Sequence, residues 1–75
     1  MAINAYLLVQ TKMGEAWKIV EAITKLGGVK MAHAVTGVYD IVVYAELNDH
    51  EELKNLIMGI QEIEGVERTH TAVSI

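Results

Sequence analysis

One short pattern occurs twice in the chain, and it constrains the fold more than any other feature of the sequence. The segments that begin at Gly28 and Gly65, GVKMAH and GVERTH, share glycine, valine and histidine at matching places. Gly65 follows Gly28 at an offset of 37 residues, about half of the 75-residue chain. An apolar stripe with helical spacing precedes each glycine, and a β-like stretch follows it. The recurrence suggests two βαβ halves.

Apolar and polar residues alternate in four stretches, which predicts four strands. The first stretch runs from Ile3 to Gln10, with one face formed by every second residue. The second and third lie on either side of Gly37 and are predicted as a hairpin, because a glycine between two alternating runs marks a tight connection. The predicted strands are residues 3–10, 29–36, 38–46 and 66–75.

Two helices are predicted between these strands. Helical spacing starts at Gly14 and continues until Gly27 or Gly28 stops it. The second helix starts at Asn48 or Asp49, since each has a glutamate three residues later, as in a capping box. Right-handed crossovers then give an α+β, ferredoxin-like βαββαβ fold, a four-stranded antiparallel sheet with both helices on one face.

The sheet is predicted to carry apolar groups on both faces, so one face needs a cover beyond the two helices. Leu7 alternates with Leu8, and Ile41 and Val43 alternate with Val42. A chain of 75 residues without cysteine has a marginal core and no disulfide to strengthen it. We therefore expect a homodimer that packs sheet against sheet, a dimeric α+β barrel.

Composition excludes several classes of function. The net charge is −4 and no basic run is present, which argues against direct nucleic-acid binding. No apolar run is long enough to span a bilayer and the N-terminus lacks a signal-peptide pattern, so no membrane association and a cytoplasmic location are expected. No phosphate loop or nucleophile elbow occurs, so no catalytic residue, cofactor or metal is predicted.

The central block Thr36-Gly37-Val38-Tyr39-Asp40, followed by Gly65-Val66 and then Thr69 and Thr71, resembles a known family. It is similar to the effector-binding domain of Lrp/AsnC transcription regulators, also called the regulation-of-amino-acid-metabolism (RAM) domain. The resemblance covers essentially the whole chain, so residues 1–75 are expected to form one such domain. Full-length members carry an N-terminal helix-turn-helix, and no segment of this sequence corresponds to it. The resemblance therefore implies a stand-alone effector domain.

The resemblance also implies a ligand and partners. Family members bind small amino acids between dimers, and their dimers associate into rings, commonly octamers. A non-catalytic module that binds an amino-acid effector and modulates the assembly of transcription regulators is implied, with full-length Lrp/AsnC regulators as possible partners. Asp40 would meet the ligand ammonium group, and backbone amides at the Gly37 turn would meet its carboxylate. The implied ligand-binding residues are Gly37, Val38, Tyr39, Asp40, Thr69, Thr71 and Ser74.

Several alternatives remain open at this stage. Asp40 would equally suit a turn, where its carboxylate binds a backbone amide. His33 and His70 occupy equivalent places in the two halves, but a metal site normally needs three converging ligands, and His50 is expected in an exposed helical turn. Another amino-acid-binding module of this fold, the ACT domain, lacks the match to the central block. A small monooxygenase-like enzyme of the dimeric barrel group would need a cavity between sheet and helices, lined by His33, Tyr6, Asn4 or Trp17.

Overall fold

A computed structural model describes residues 2–75, and Met1 of the predicted domain lies outside the described residues. The elements are β1 (Ile3–Thr11), α1 (Ala16–Thr24), β2 (Val29–Ala34), β3 (Ile41–Leu47), α2 (His50–Gln61) and β4 (Val66–Val73). The strands form an antiparallel sheet in the order β2-β3-β1-β4. The predicted ferredoxin-like βαββαβ fold is confirmed.

The core lies between one face of the sheet and the two helices. Residues of β1 and β3 alternate between buried and more exposed, because successive strand side chains point to opposite faces. α1 and α2 each contribute an apolar stripe to the buried side. The largest fully buried side chains are Leu7, Val9, Ile19, Ile23, Ile41, Val43 and Ile60.

The repeat seen in the sequence is confirmed by equivalent backbone features in the two halves. Gly28 and Gly65 both have positive φ, at 88° and 100°. The Gly28 carbonyl accepts the N–H of Glu46, near the end of β3. The Gly65 carbonyl accepts the N–H of Lys12, directly after β1, and both bonds are 2.9 Å long. The β2–β3 pair has one extra residue in β2, Lys30, and the β1–β4 pair has one extra residue in β4, Glu67. These two bulge residues again lie 37 positions apart.

The capping pattern before α2 is also confirmed. The Asp49 side chain accepts the Glu52 N–H at 2.9 Å, which satisfies one of the free amides at the helix start. The Glu52 carboxylate reaches back and accepts the Asn48 N–H at 2.9 Å. α1 begins at Ala16, two residues later than predicted, with Glu15 at its N-cap and no side-chain cap bond there.

The predicted hairpin is present, but its connection is longer than one glycine. β2 ends at Ala34 and β3 begins at Ile41, so residues 35–40 form a loop. We call these six residues the 35–40 loop. Val35 and Val38 had extended the apparent alternation, yet both are exposed, Val38 at 77%. β4 likewise ends at Val73 and does not continue to Ile75.

Trp17, in the first turn of α1, does not pack into the core. Its side chain is 78% exposed. The stripe of α1 is completed without it by Ile19 and Ile23, which are both buried. In residues 2–75, neither helix combines the length and the hydropathy that a membrane crossing requires.

Candidate functional site

The 35–40 loop is fastened to the end of β1 by Asp40. The Asp40 backbone N–H donates to the carbonyl of Val9, and the Asp40 carbonyl accepts the N–H of Val35, both at 2.9 Å. One side-chain oxygen, Oδ2, accepts the Thr11 N–H at 2.8 Å. This oxygen therefore serves the fold, but its partner is the distant Thr11 and not a neighbouring amide as the turn interpretation expects. The other oxygen, Oδ1, accepts no hydrogen bond from the described residues.

The tip of the loop exposes backbone amides. Gly37 has φ of +114°, a conformation that favours glycine, although a Cβ there would meet no atom within 4 Å. The N–H groups of Gly37 and Val38 donate to no residue within 2–75. The Val38 carbonyl, in contrast, accepts a 3.0 Å bond from Gln10 Nε2. The loop thus offers two free amide donors close in sequence to the Asp40 carboxylate.

Tyr39 links this loop to β4. Its ring meets the His70 ring edge to face, with the centroids 5.5 Å apart. Thr69 precedes His70 and pairs with Val9, the residue whose carbonyl binds Asp40. The Thr69 hydroxyl accepts a 3.2 Å bond from Gln61 Nε2 of α2. The structure therefore brings residues 37–40 and Thr69 to the same end of the sheet.

The remaining two predicted site residues lie progressively farther from the loop within one chain. Thr71 pairs with Leu7, about 7 Å along β4 from Thr69. The Ser74 N–H donates to the Asn4 carbonyl at 2.8 Å, at the end of β1 opposite Thr11. A single copy does not gather all seven predicted residues around one small ligand.

The uncovered face of the sheet, which we call the open face, carries a regular arrangement of side chains that sequence reasoning did not detect. Strand register places His33, Val42, Leu8 and His70 side by side in one row across β2, β3, β1 and β4. The neighbouring row is Met31, Tyr44, Tyr6 and Ala72. Only the pairing register reveals these rows, because each contains one residue from each strand.

Two tyrosines occupy the centre of this second row. The rings of Tyr6 and Tyr44 are 5.1 Å apart and tilted by 41°. The Tyr44 hydroxyl donates to Glu46 Oε2 at 3.0 Å. This hydrogen bond to a carboxylate, together with desolvation and the negative charge of Glu46, raises the pKa of the Tyr44 phenol above its usual 10.0.

Within residues 2–75, the four residues that the enzyme alternative places around a cavity between sheet and helices do not lie there. Asn4, Tyr6 and His33 lie on the open face and not between sheet and helices, and Trp17 is exposed. The space between sheet and helices is filled by the apolar core. His33 and His70 lie on opposite edge strands, about 14 Å apart by strand spacing, too far for both to bind one metal ion within a chain.

A groove of about 370 Å³ lies at the other end of the molecule, where α1 ends and α2 begins. It contains none of the seven predicted site residues. Its lining residues are Leu26, Gly27, Gly28, Leu47, Glu52, Asn55 and Leu56.

The fold places the chain among small ferredoxin-like α+β domains whose sheet has one uncovered face. Residues 4–75 match the family model described as the Lrp/AsnC ligand binding domain. The chain therefore belongs to the Lrp/AsnC ligand-binding domain family, which confirms the resemblance found in the sequence.

The relatives include regulators that are about twice as long. The HTH-type transcriptional regulator FL11 of Pyrococcus furiosus is 34% identical over 71 residues, which are 95% of this chain and 47% of FL11. The chain thus spans about half the length of that regulator. A crystal structure of TTHA0845 from Thermus thermophilus has a TM-score of 0.92 and 38% identity, covering 97% of this chain and 92% of that one.

A more distant structure shares the fold and was solved with a ligand. It is a complex of the transcriptional regulator NMB0573 from Neisseria meningitidis with L-methionine. It has a TM-score of 0.85 and 17% identity, and the match covers 97% of this chain and 49% of that regulator.

Proposed function

We propose that this chain is a non-catalytic regulatory module that binds a small amino acid at an interface between its own copies. The observation that supports this most directly is the chemistry of the 35–40 loop. Free amides at Gly37 and Val38 suit an anionic group, and the unoccupied Oδ1 of Asp40 suits a cationic one. An amino acid carries both charges on groups bonded to one carbon, which suits donors and an acceptor that lie within one short loop.

The ligand site on this proposal needs a second copy. Thr71 and Ser74 lie toward the end of the sheet opposite the loop, so another copy would supply the contacts that complete the site. Residues 35–38 of the loop are exposed, with the Val38 side chain 77% exposed, so the loop is accessible for such a contact. Higher assembly through the loops, such as a ring of dimers, is part of the proposal.

The dimer itself would form through the open face. Tyr6, Leu8, Val42 and Tyr44 form the centre of this face, and the Tyr6 side chain is 47% exposed although it sits in the middle of the sheet. A second copy presents the same apolar centre, and an isologous contact would cover both at once. Burial there would add to a core that is small for independent stability.

Regulation on this proposal works through assembly and without chemistry. A ligand that binds only between copies shifts the oligomer equilibrium by its differential affinity for the assembled state. Regulators that contain a similar domain, as FL11 does in 47% of its length, would present the same kind of surface for co-assembly. An amino acid would then change which regulators assemble together.

The test compares Asp40→Asn, Asp40→Ala and wild type by light scattering against a panel of amino acids. An asparagine oxygen still accepts the Thr11 N–H but carries no charge. We expect Asp40→Asn to keep the fold and to need at least about tenfold more ligand for the same change in mass, because a charge-assisted bond is lost. Asp40→Ala should lose the response and also about 1–3 kcal/mol of unfolding free energy, since the Thr11 N–H loses its partner.

Asp49→Asn is the matched control, because it makes the same charge change at the α2 cap, where asparagine caps as well as aspartate. This variant should respond to the ligand like wild type. The proposed ligand site is wrong if no amino acid in the panel changes the mass of wild type. It is also wrong if Asp40→Asn responds to the ligand as strongly as wild type does.

A further inference from the structure

The row formed by His33, Val42, Leu8 and His70 combines an apolar centre with an imidazole at each end. Leu8 pairs with both Val42 and His70, and Val42 pairs with His33, so all four side chains stand at one height on the open face. Both histidines are exposed in the single chain, whereas Leu8 and Val42 are partly buried. Any molecule that covers the centre of this row also approaches the two imidazoles.

Few other charges share this face with the histidines. On β4, Arg68 lies two residues before His70, and on β3, Glu46 lies at the far end, bound to the Tyr44 hydroxyl. The phenol rings of Tyr6 and Tyr44 fill the neighbouring row. The loop adds Asp40, whose carboxylate binds the Thr11 N–H, and Tyr39 against His70. Lys30 and Glu67, of opposite charge, occupy the equivalent bulges of β2 and β4, outside the row.

This distribution leaves no carboxylate beside either imidazole within the row. Arg68 and Glu46 balance one another on each copy, so two protonated histidines would give the open face a net positive charge. Two copies facing each other would place four imidazolium groups along the two edges of an apolar centre. Like charges and the loss of hydration both oppose such a contact.

We propose that His33 and His70 act as a pH switch on the pairing of two copies through the open face, which forms with neutral imidazoles and weakens when they are protonated. This inference rests on the proposed sheet-to-sheet dimer and adds its regulation. The direction follows from linkage. Both histidines are exposed to water in a single copy, whereas the dimer disfavours the charged form of their imidazoles, so association releases protons and the dimer Kd rises as pH falls.

Histidine is the side chain suited to this role, because the ordinary imidazole pKa of about 6.5 lies near physiological pH. Carboxylate and guanidinium groups ordinarily keep their charge between about pH 5.5 and 7.5, so they do not contribute a change over that range. Exclusion of one proton per dimer changes the Kd about tenfold per pH unit below the imidazole pKa. With four histidines at the contact, we expect the Kd to rise at least about tenfold from pH 7.5 to pH 5.5.

The experiment measures the dimer Kd by sedimentation equilibrium at about pH 7.5, 6.5 and 5.5, in buffer with EDTA and without amino acids. Wild type is compared with the double variant His33→Gln and His70→Gln, which keeps neutral polar side chains. His50→Gln is the matched control, because His50 lies in the exposed first turn of α2, in the helix layer on the other side of the sheet. Circular dichroism at each pH confirms that every variant is folded.

The wild type and His50→Gln should both show the rise in Kd. In the glutamine double variant, log Kd should rise by less than a third as much between pH 7.5 and pH 5.5. A double variant with lysine at both positions should dimerise weakly at every pH. The proposed pH switch is overturned if the Kd of the wild-type dimer does not change with pH, or if the Kd of the glutamine double variant rises as much as that of wild type. Neither result contradicts the proposed dimer. Leu8→Lys identifies the interface: a dimer that survives this change at pH 7.5 does not use the open face, and both proposals then fail.

Discussion

Asp40 shows how one side chain serves the fold and would, under the proposed function, also meet a ligand. Its Oδ2 accepts the Thr11 N–H, and its backbone groups bond to β1 and to Val35. These bonds hold the 35–40 loop against the sheet. Under the proposed function, the same bonds would position the loop amides and Oδ1 before binding and would reduce the ordering that a ligand has to impose.

Tyr44 gives a prediction at the same scale, since its hydroxyl donates to the Glu46 carboxylate and its phenol pKa is raised. Glu46→Gln should lower that pKa toward the usual 10, because a neutral amide no longer disfavours the phenolate. An ultraviolet absorbance titration of tyrosine ionisation, with Tyr44→Phe used to assign the signal, measures the change. If the curves of wild type and Glu46→Gln coincide, the bond does not hold in solution.

The sign of the associated stability change follows from the direction of the shift. A pKa that is raised by folding means that the fold favours the protonated phenol. The contribution of this bond is fully present below the unfolded value of about 10 and is lost as pH rises through the raised folded value. Glu46→Gln should therefore change the free energy of unfolding less at strongly alkaline pH than at neutral pH.

At the scale of elements, positive-φ glycines lie in the connections between helices and strands, and their surroundings differ. A Cβ on Gly28 would collide with the Leu47 side chain and lie 3.1 Å from the Glu46 carbonyl, whereas a Cβ on Gly14 would meet no atom within 4 Å. Gly28→Ala should lower the unfolding free energy by about 3 kcal/mol, from strain and overpacking together. Gly14→Ala should lower it by only about 1 kcal/mol.

Gly59 supplies the control of opposite sign for this pair. It lies inside α2, and a Cβ there would sit 3.5 Å from a Leu26 methyl, an ordinary contact. Gly59→Ala should therefore raise the unfolding free energy by about 0.5–1 kcal/mol through helix propensity. Urea unfolding of the three variants measures all of these changes, and equal effects of Gly14→Ala and Gly28→Ala would contradict the collision.

Element types were predictable from the sequence because alternation and helical spacing are local signals. The end of β2 and the start of β3 were not predictable, because Val35 and Val38 continue the alternation. The loop between them is held by two residues distant in sequence: Gln10 donates to the Val38 carbonyl and the Thr11 N–H donates to Asp40. The position of Asp40 in a turn was predictable, but its Thr11 partner was not. The row of His33 and His70 was hidden for the same reason, because register between strands is not visible along the chain.

At the scale of the whole molecule, the two halves are interchangeable in topology. β1 and β3 are the central strands, and each is followed by a helix and then an edge strand. The ends of β1 and β4 are neighbours, because the Ser74 N–H donates to the Asn4 carbonyl. A chain that started with β3 and ended with β2 would therefore trace the same path through the sheet.

This symmetry predicts that a circular permutant folds. The permutant opens the chain between Gly37 and Val38 and joins Ile75 to Ala2 through Asn-Gly, a favoured hairpin turn. We expect native circular dichroism and cooperative urea unfolding, with about 1–2 kcal/mol less unfolding free energy from fraying of the bond between Val35 and Asp40. Amino-acid binding should be lost with the loop, whereas dimerisation and its pH dependence should persist.

A second permutant separates symmetry from general tolerance. Opening the chain between Ile57 and Met58 uses the same linker but cuts α2 in its middle, where no half begins or ends. Short helical fragments are unstable alone, and the contacts of Leu56 and Ile60 with the core would no longer form cooperatively. This permutant should fail to unfold cooperatively. If both permutants behave alike, the equivalence of the halves does not determine where the chain can be opened, and the repeat would be a feature of sequence without consequence for folding.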